Sequence, residues 1–98
     1  MDSICSLSIV IPVYNSADTI GSLVEQLANL PIEGGHELIL VNDGSKDKTR
    51  IFIDELSQEF PAVKVLHFSR NFGKETAINA GLEHISGEVT VIIDADFQ

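Results

Sequence analysis

The chain has 98 residues, is 44% hydrophobic and carries 15 acidic against 6 basic side chains, which gives a formal net charge of −9. This size and apolar content predict a single domain with its own core and argue against general disorder. The acidic balance argues against a nucleic-acid partner, which requires a basic face. A phosphate-bearing ligand would need a divalent cation to offset the negative charge.

The compartment is predicted from three absences. Cys5 is the single cysteine, so no internal disulfide can form, and a reduced cytoplasmic compartment fits. No apolar run reaches the roughly 18 residues of a membrane span. Residues 1–6 lack the basic and long apolar segments of a signal peptide. We therefore expect the chain to be cytoplasmic.

Four apolar runs predict strands, at residues 7–13, 37–41, 63–68 and 89–93. Between them, apolar residues at helical spacing predict three helices, which end at Pro31, Pro61 and Gly87 or shortly before. Ser16 is predicted to cap the first helix, and Ser45 or Asp47 the second.

The resulting βαβαβαβ order predicts an α/β fold, a three-layer sandwich in which helices cover both faces of a parallel sheet. Of the two common doubly wound arrangements, strand order 3-2-1-4 suits this chain best. It places the switch point, where ligands bind beyond the carboxyl ends of the strands, between the first and fourth strands.

Polar side chains follow all four predicted strands at this end of the sheet. They are Tyr14 and Asn15, then Asn42, Asp43 and Ser45, then Ser69, Arg70 and Asn71, then Asp94, Asp96 and Gln98. The first strand–helix turn, "PVYNSADT", contains no glycine, which argues against a dinucleotide fingerprint. A P-loop motif is also absent, so a bound phosphate must be held in another way.

Asp94 and Asp96 follow the fourth strand and can face the same side, because residues two apart in extended chain do so. Two carboxylates so close repel each other, and a divalent cation such as Mg²⁺ removes the conflict while bridging to substrate phosphates. The alternative is a solvated turn or helix cap. Their position at the switch-point strand favours the metal site.

Other candidate residues have two interpretations each. Asp43 can bind nearby backbone amides, accept hydrogen bonds from a nucleoside, or do both. Tyr14 can stack on a base or cover the sheet edge. Arg70 and Lys74 can meet a phosphate or be ordinary surface charges. The three histidines show no shared metal-ligand spacing and are interpreted as structural.

Three stretches together resemble the family 2 glycosyltransferases, which have the Rossmann-like GT-A fold of nucleotide-diphospho-sugar transferases. They are "SIVIPVYNSADTI", "ELILVNDGSKDKT" and "FSRNFGKETAINAGLEHISGEVTVIIDADFQ". The resemblance covers roughly residues 7–98. The third stretch is most similar to the branch that makes polyprenyl-phosphate sugars, which includes dolichol-phosphate mannose synthases and undecaprenyl-phosphate glycosyltransferases.

The resemblance implies inverting transfer from a UDP- or GDP-sugar to a lipid phosphate, at the cytoplasmic face of a membrane. It places five residues in the nucleoside pocket: Pro12, Tyr14, Asn15, Asp43 and Asp94. It assigns Mg²⁺ or Mn²⁺ to Asp94, Asp96 and Gln98, and donor phosphates or acceptor to Arg70 and Lys74. Ser16 departs from the pattern, since many members have glutamate there.

The resemblance also implies that the family's domain continues well past the D-x-D motif. Residues 1–98 are therefore expected to be its nucleotide-sugar-binding amino-terminal portion, inactive alone and without a general base. A receiver-like domain is a second hypothesis, but it needs an aspartate after the third strand, where His67-Phe68-Ser69-Arg70 stand. A third is a non-catalytic nucleotide-binding or assembly module. The exposed fourth strand is expected to favour a homo-oligomer.

Overall fold

The computed structural model describes residues 5–95. Strands and helices alternate as predicted. They are β1 (Cys5–Val13), α1 (Ile20–Ala28), β2 (His36–Asn42), α2 (Thr49–Glu59), β3 (Val63–His67), α3 (Lys74–Leu82) and β4 (Gly87–Ile92). No helix in residues 5–95 is both long and apolar enough to cross a membrane.

All strand pairs are parallel and the sheet order is β3-β2-β1-β4, which confirms the predicted topology. β1 is central, and Ile9 pairs with Leu38 on one side and with Val91 on the other. The switch point therefore falls between β1 and β4, because the chain adds β2 and β3 on one side of β1 and then crosses over to add β4 on the other.

Two apolar clusters place helices on both faces of the sheet. The larger joins alternate residues of β1 and β2 to α1 and α2, and includes Ile9, Leu38, Ile20, Val24 and Ile53. The smaller joins the other face of β2 to α3, through Ile39, Val41 and Ala77. The uninterrupted apolar runs of β1 and β2 follow from this double burial.

Glycine permits the close approach of α3 to the sheet. A Cβ added at Gly81 would lie 2.5 Å from Cγ1 of Val10 and 3.2 Å from Cγ2 of Val41. A larger residue here would push α3 away from the sheet, and with it Lys74 at the start of the helix.

The helix starts differ in part from the predictions. α1 begins at Ile20 with Thr19 as its N-cap, so the predicted Ser16 cap is wrong. The Ser16 carbonyl instead accepts the N–H groups of Thr19 and Ile20, which form an extra turn before the helix. At α2 the N-cap residue is Lys48, so neither of the predicted cap residues, Ser45 or Asp47, occupies that position. The Asp47 carboxylate nevertheless accepts the N–H of Thr49 at 2.9 Å. The Thr49 hydroxyl, together with this N–H, lowers the pKa of Asp47.

β4 forms an edge of the described sheet, and its apolar side chains are largely uncovered. Val89, Val91 and Ile92 are 59%, 41% and 48% exposed. This confirms the expected exposed apolar surface along the fourth strand.

At the opposite end of the sheet from the switch point, Glu37 is buried and its carboxylate joins three segments of the chain. Oε2 accepts the hydroxyls of Ser8 (2.6 Å) and Ser86 (3.0 Å) and the N–H of Ser86 (2.6 Å). Oε1 accepts the Lys64 ammonium at 2.7 Å. β1, β3 and the α3–β4 turn are thus held to the start of β2.

Candidate functional site

Three loops meet beyond the carboxyl ends of the strands: the β1 loop (residues 14–19), the β2 loop (residues 43–48) and the β3 loop (residues 68–73). Strand-like backbone bonds extend the sheet into them. The N–H of Asp43 donates to the Val13 carbonyl at 2.8 Å, and that of Phe68 to the Asn42 carbonyl at 2.9 Å. The three loops therefore start at one level of the sheet.

A reciprocal pair of hydrogen bonds ties the β1 loop to the β2 loop. The Asn15 N–H donates to the Ser45 hydroxyl at 2.9 Å, and the Lys46 N–H donates to Oδ1 of Asn15 at 2.8 Å. Asn15 has φ +49°, which asparagine tolerates better than most residues. The Asn15 backbone N–H and its amide oxygen therefore both hold the β1 loop to the β2 loop at this end of the site.

Asp43 ties the β2 loop to the β3 loop. Its Oδ1 accepts the Phe72 N–H at 2.8 Å and its Oδ2 accepts the Gly73 N–H at 3.1 Å. The Asn71 side chain donates to the Asp43 carbonyl at 3.3 Å. The interpretation that Asp43 binds backbone amides is thus correct. Each carboxylate oxygen has a second lone pair, which leaves capacity for a ligand.

An ion pair joins the start of α3 to the end of β4. The Lys74 ammonium contacts Oδ2 of Asp94, while the next residue, Ala95, is buried in the core. Lys74 also lines a small depression with Pro12, Val13, Tyr14 and Asp43. The structure therefore brings together Pro12, Tyr14, Asp43, Lys74 and Asp94, and places Asn15 in the adjoining loop pair.

Arg70 stands apart from this group. Its guanidinium lies 4.9 Å from the centroid of the Phe72 ring, and Phe72 in turn meets the Phe68 ring edge-on at 5.6 Å. Phe72 is about half exposed. Arg70 is thus held at the rim of the site against an aromatic surface and does not line the depression.

The proposed metal ligands are described only in part. Asp96 and Gln98 lie outside the described residues, and within 5–95 no cluster of three or more His, Cys, Asp or Glu side chains is found. Asp94 is the described member of the set. A set of two carboxylates and one carboxamide offers oxygen atoms alone, which suits Mg²⁺ or Mn²⁺.

Residues 8–98 match the family model described as "Glycosyl transferase family 2". The chain belongs to this family. It is 43% identical over 96 residues to a bactoprenol glucosyl transferase of Shigella phage SfV, an alignment that covers 94% of this chain and 31% of the phage protein. The chain spans about 30% of the length of the curated relatives it matches.

Two solved structures show the same GT-A fold. S. aureus TarS 1-349 in complex with UDP-GlcNAc has a TM-score of 0.80 and 28% identity, covering 93% of this chain and 26% of TarS. The mannosyltransferase PcManGT from Pyrobaculum calidifontis, in complex with GDP-Man and Mn²⁺, has a TM-score of 0.82 and 26% identity, covering 98% and 28%. Relatives of this family-2 chain thus bind nucleotide-sugars, one of them with a divalent metal.

Family motifs alone did not identify several residues that shape the site. Phe72 supports Arg70, and His67 and Asp54 reach the β2 loop through Asn42. One sequence signal was present: Asn42 is a polar residue at the end of a strand buried on both faces, and such residues require a partner. The identity of that partner depends on the register between β2 and β3.

Proposed function

We propose that this chain is the donor-binding part of a glycosyltransferase that moves a sugar from a nucleotide-diphosphate sugar, with inversion, to a polyprenyl phosphate. The carrying observation is the depression at the switch point, which Tyr14, Asp43 and Lys74 line, and the ion pair that joins Lys74 to Asp94. The activities and ligands of the relatives support these substrates. One is a bactoprenol glucosyl transferase, and two others hold UDP-GlcNAc and GDP-Man.

The nucleoside is proposed to lie against Pro12, Tyr14, Asn15, Asp43 and Asp94. Tyr14 is half-buried beside the depression and offers an aromatic face for stacking. Asp43 is anchored by two backbone N–H groups, so its carboxylate is rigid before a ligand arrives. A rigid acceptor loses little conformational entropy when it binds a base or ribose donor group.

Lys74 and Arg70 are proposed to meet phosphate groups at different depths. Lys74 lines the depression, which supports a contact between its ammonium and the donor diphosphate. Arg70 stands at the rim beside the half-exposed Phe72 ring. A cation next to an apolar ring suits a phosphate on a lipid chain, because each part of the acceptor then has a matching surface.

Asp94, Asp96 and Gln98 would hold Mg²⁺ or Mn²⁺, which when bound stabilises negative charge on the leaving diphosphate. The acceptor phosphate oxygen attacks C1 of the sugar from the face opposite the diphosphate. The new C1–O bond forms as the bond to the diphosphate breaks, and the nucleoside diphosphate leaves. A phosphate acceptor is already anionic, so no residue of this chain is assigned as a base.

The whole enzyme is proposed to work at the cytoplasmic face of a membrane, where it would meet a polyprenyl phosphate acceptor. Residues 1–98 alone are expected to bind nucleotide weakly and to transfer no sugar. A non-catalytic nucleotide-binding or assembly module built on the same fold is the alternative.

Titration calorimetry of the chain with UDP and with GDP, each with Mn²⁺, tests this proposal. We expect weak binding that EDTA abolishes and that Asp96→Ala weakens by about tenfold or more, since a lost metal ligand removes the link between protein and diphosphate. Glu59→Ala, an exposed carboxylate at the end of α2, is the matched control and should bind as the unsubstituted chain does. Binding that ignores both EDTA and Asp96→Ala would refute the metal-dependent donor site.

Self-association through β4 is a separate proposal, supported by the exposed side chains of Val89, Val91 and Ile92 on this edge strand. Light scattering should show a homo-oligomer whose mass falls to that of a monomer when Val89→Lys is introduced, because a charge at this exposed apolar position opposes its burial in an interface. Glu88→Lys places the same side chain at a position of β4 that is already charged, so it is the control and should leave the mass unchanged. A clean monomer at high concentration would contradict the proposal.

A further inference from the structure

A chain of side-chain hydrogen bonds runs from α2 into the β2 loop. Asn42 and His67 end β2 and β3 and are direct partners in the strand register. Nδ2 of Asn42 lies 3.0 Å from Nδ1 of His67, and Nε2 of His67 lies 2.7 Å from Oδ1 of Asp54. At its other end, Oδ1 of Asn42 accepts the Ser45 N–H at 3.0 Å.

The backbone N–H of Ser45 determines the protonation pattern of the whole chain. An N–H can only donate, so the Asn42 atom that faces Ser45 must be the oxygen, and the atom that faces His67 must be the NH₂ group. Nδ1 of His67 must then be an unprotonated acceptor. The ring proton sits on Nε2 and is donated to Asp54. A neutral imidazole in one tautomer is thus required by its neighbours.

A purely structural reading of Asn42 is that a buried polar side chain, 1% exposed, has been given its partners. The bond between Asn42 and Ser45 indicates a second role, because Ser45 belongs to the β2 loop. The Ser45 N–H donates to the Asn42 amide oxygen, and the Ser45 hydroxyl accepts the Asn15 N–H. The chain therefore ends on the two loops that carry Asn15 and Asp43.

We propose that Asn42 and His67 are positioning residues for the nucleoside-binding loops. His67, oriented by Asp54, holds the Asn42 amide so that its oxygen fixes Ser45, and Ser45 fixes Asn15. This inference rests on the proposed nucleotide site for its functional meaning. The hydrogen-bond chain itself is independent of that function.

The ring tautomers provide a first test, through long-range ¹H–¹⁵N spectra of the histidines at pH 7.5. His67 should be neutral with its proton on Nε2. His84 is an internal reference for the opposite tautomer, because its Nδ1 lies 2.9 Å from the Ala80 carbonyl and must carry a proton. A His67 ring that is charged, or protonated on Nδ1, would overturn the assignment.

Two substitutions then separate positioning from packing. His67→Asn places an acceptor where Nδ1 stands but removes the reach to Asp54, whereas His67→Leu fills space without an acceptor. We expect His67→Leu to raise the dissociation constant for UDP or GDP with Mn²⁺ by about tenfold, and His67→Asn by less than about threefold. Hydrogen exchange at the Ser45 amide should quicken in the same order, while urea unfolding follows a different order because leucine packs well.

Equal affinity and equal Ser45 exchange in His67→Leu and the unsubstituted chain would overturn the positioning role. So would equal losses in both variants, since only His67→Asn keeps an acceptor for the Asn42 amide. If the unsubstituted chain binds neither UDP nor GDP, the proposed donor site fails. In that case the Ser45 exchange rates alone still decide whether His67 orders the loop.

Discussion

Gly44→Ala is expected to destabilise the chain by about 3–5 kcal/mol and to abolish nucleotide binding. A Cβ at this position would lie 2.2 Å from the Arg70 carbonyl carbon and 2.4 Å from the Asn71 nitrogen, both backbone atoms of the β3 loop. The loop cannot retreat easily, because Asp43 binds the N–H groups of Phe72 and Gly73. Urea unfolding followed by circular dichroism measures the loss of stability.

Gly35→Ala is the matched control for Gly44→Ala. Gly35 has φ +84° and Gly44 has φ +72°, so alanine pays a similar backbone cost of about 1–2 kcal/mol at either position. The nearest atom to a Cβ at Gly35 is Cβ of Cys5 at 3.9 Å, an ordinary contact. The difference between the two variants therefore isolates the overlap of the β2 and β3 loops. Equal losses in both variants would show that the loops do not press on each other.

The sequence was sufficient for the order of the elements and for the sheet topology, for a physical reason. β1 and β2 are buried on both faces, so their apolar runs are uninterrupted and stand out from the amphipathic helices. Because βαβ crossovers are right-handed and ligands bind at the switch point, few arrangements of four parallel strands remain. The same rule placed Asp43 and Asp94 at one end of the sheet.

The partners of the polar residues were less predictable. Asn42 and His67 are 25 residues apart, and they meet only because β2 and β3 pair in one register. A shift of one residue would turn one of the two side chains to the other face of the sheet. Asp43 was correctly expected to bind amides, but those amides belong to the β3 loop and not to its own turn. The prediction of Ser16 as the α1 cap was wrong because an extra turn precedes the helix, and no local sequence pattern predicts that turn.

The distribution of polar groups at the two ends of the sheet has a functional consequence. At the carboxyl end, the loops carry polar groups that retain capacity for a ligand, such as Asp43. At the amino end, the Glu37 carboxylate accepts four hydrogen bonds from this chain and is committed to holding strands together. This buried carboxylate anchor thus lies at the end of the sheet opposite the candidate site, and its hydrogen bonds do not compete with a ligand there.

Glu37→Gln is expected to reduce the free energy of unfolding by about 3 kcal/mol at pH 7, and the loss should shrink in acid. Burial raises the pKa of Glu37, but the Lys64 ammonium and the donors on Ser8 and Ser86 outweigh it, so that the pKa falls from 4.5 to about 2. Each unit of pKa corresponds to about 1.4 kcal/mol of differential stabilisation. Lys64 is half exposed, so solvent screens part of its effect.

The sign of the pH dependence follows from the lowered pKa. The folded state favours the carboxylate, so its stabilisation is complete above the unfolded pKa of 4.5 and is lost as pH falls towards 2. In urea titrations, the gap between the unsubstituted chain and Glu37→Gln should therefore narrow to roughly half between pH 6 and pH 3. Glu88→Gln, an exposed glutamate on β4, should show no gap at either pH. If the difference in free energy of unfolding between the unsubstituted chain and Glu37→Gln stayed constant over this range, the charge of Glu37 would not be what its neighbours stabilise. The anchor at the amino end would then depend on the packing of this side chain.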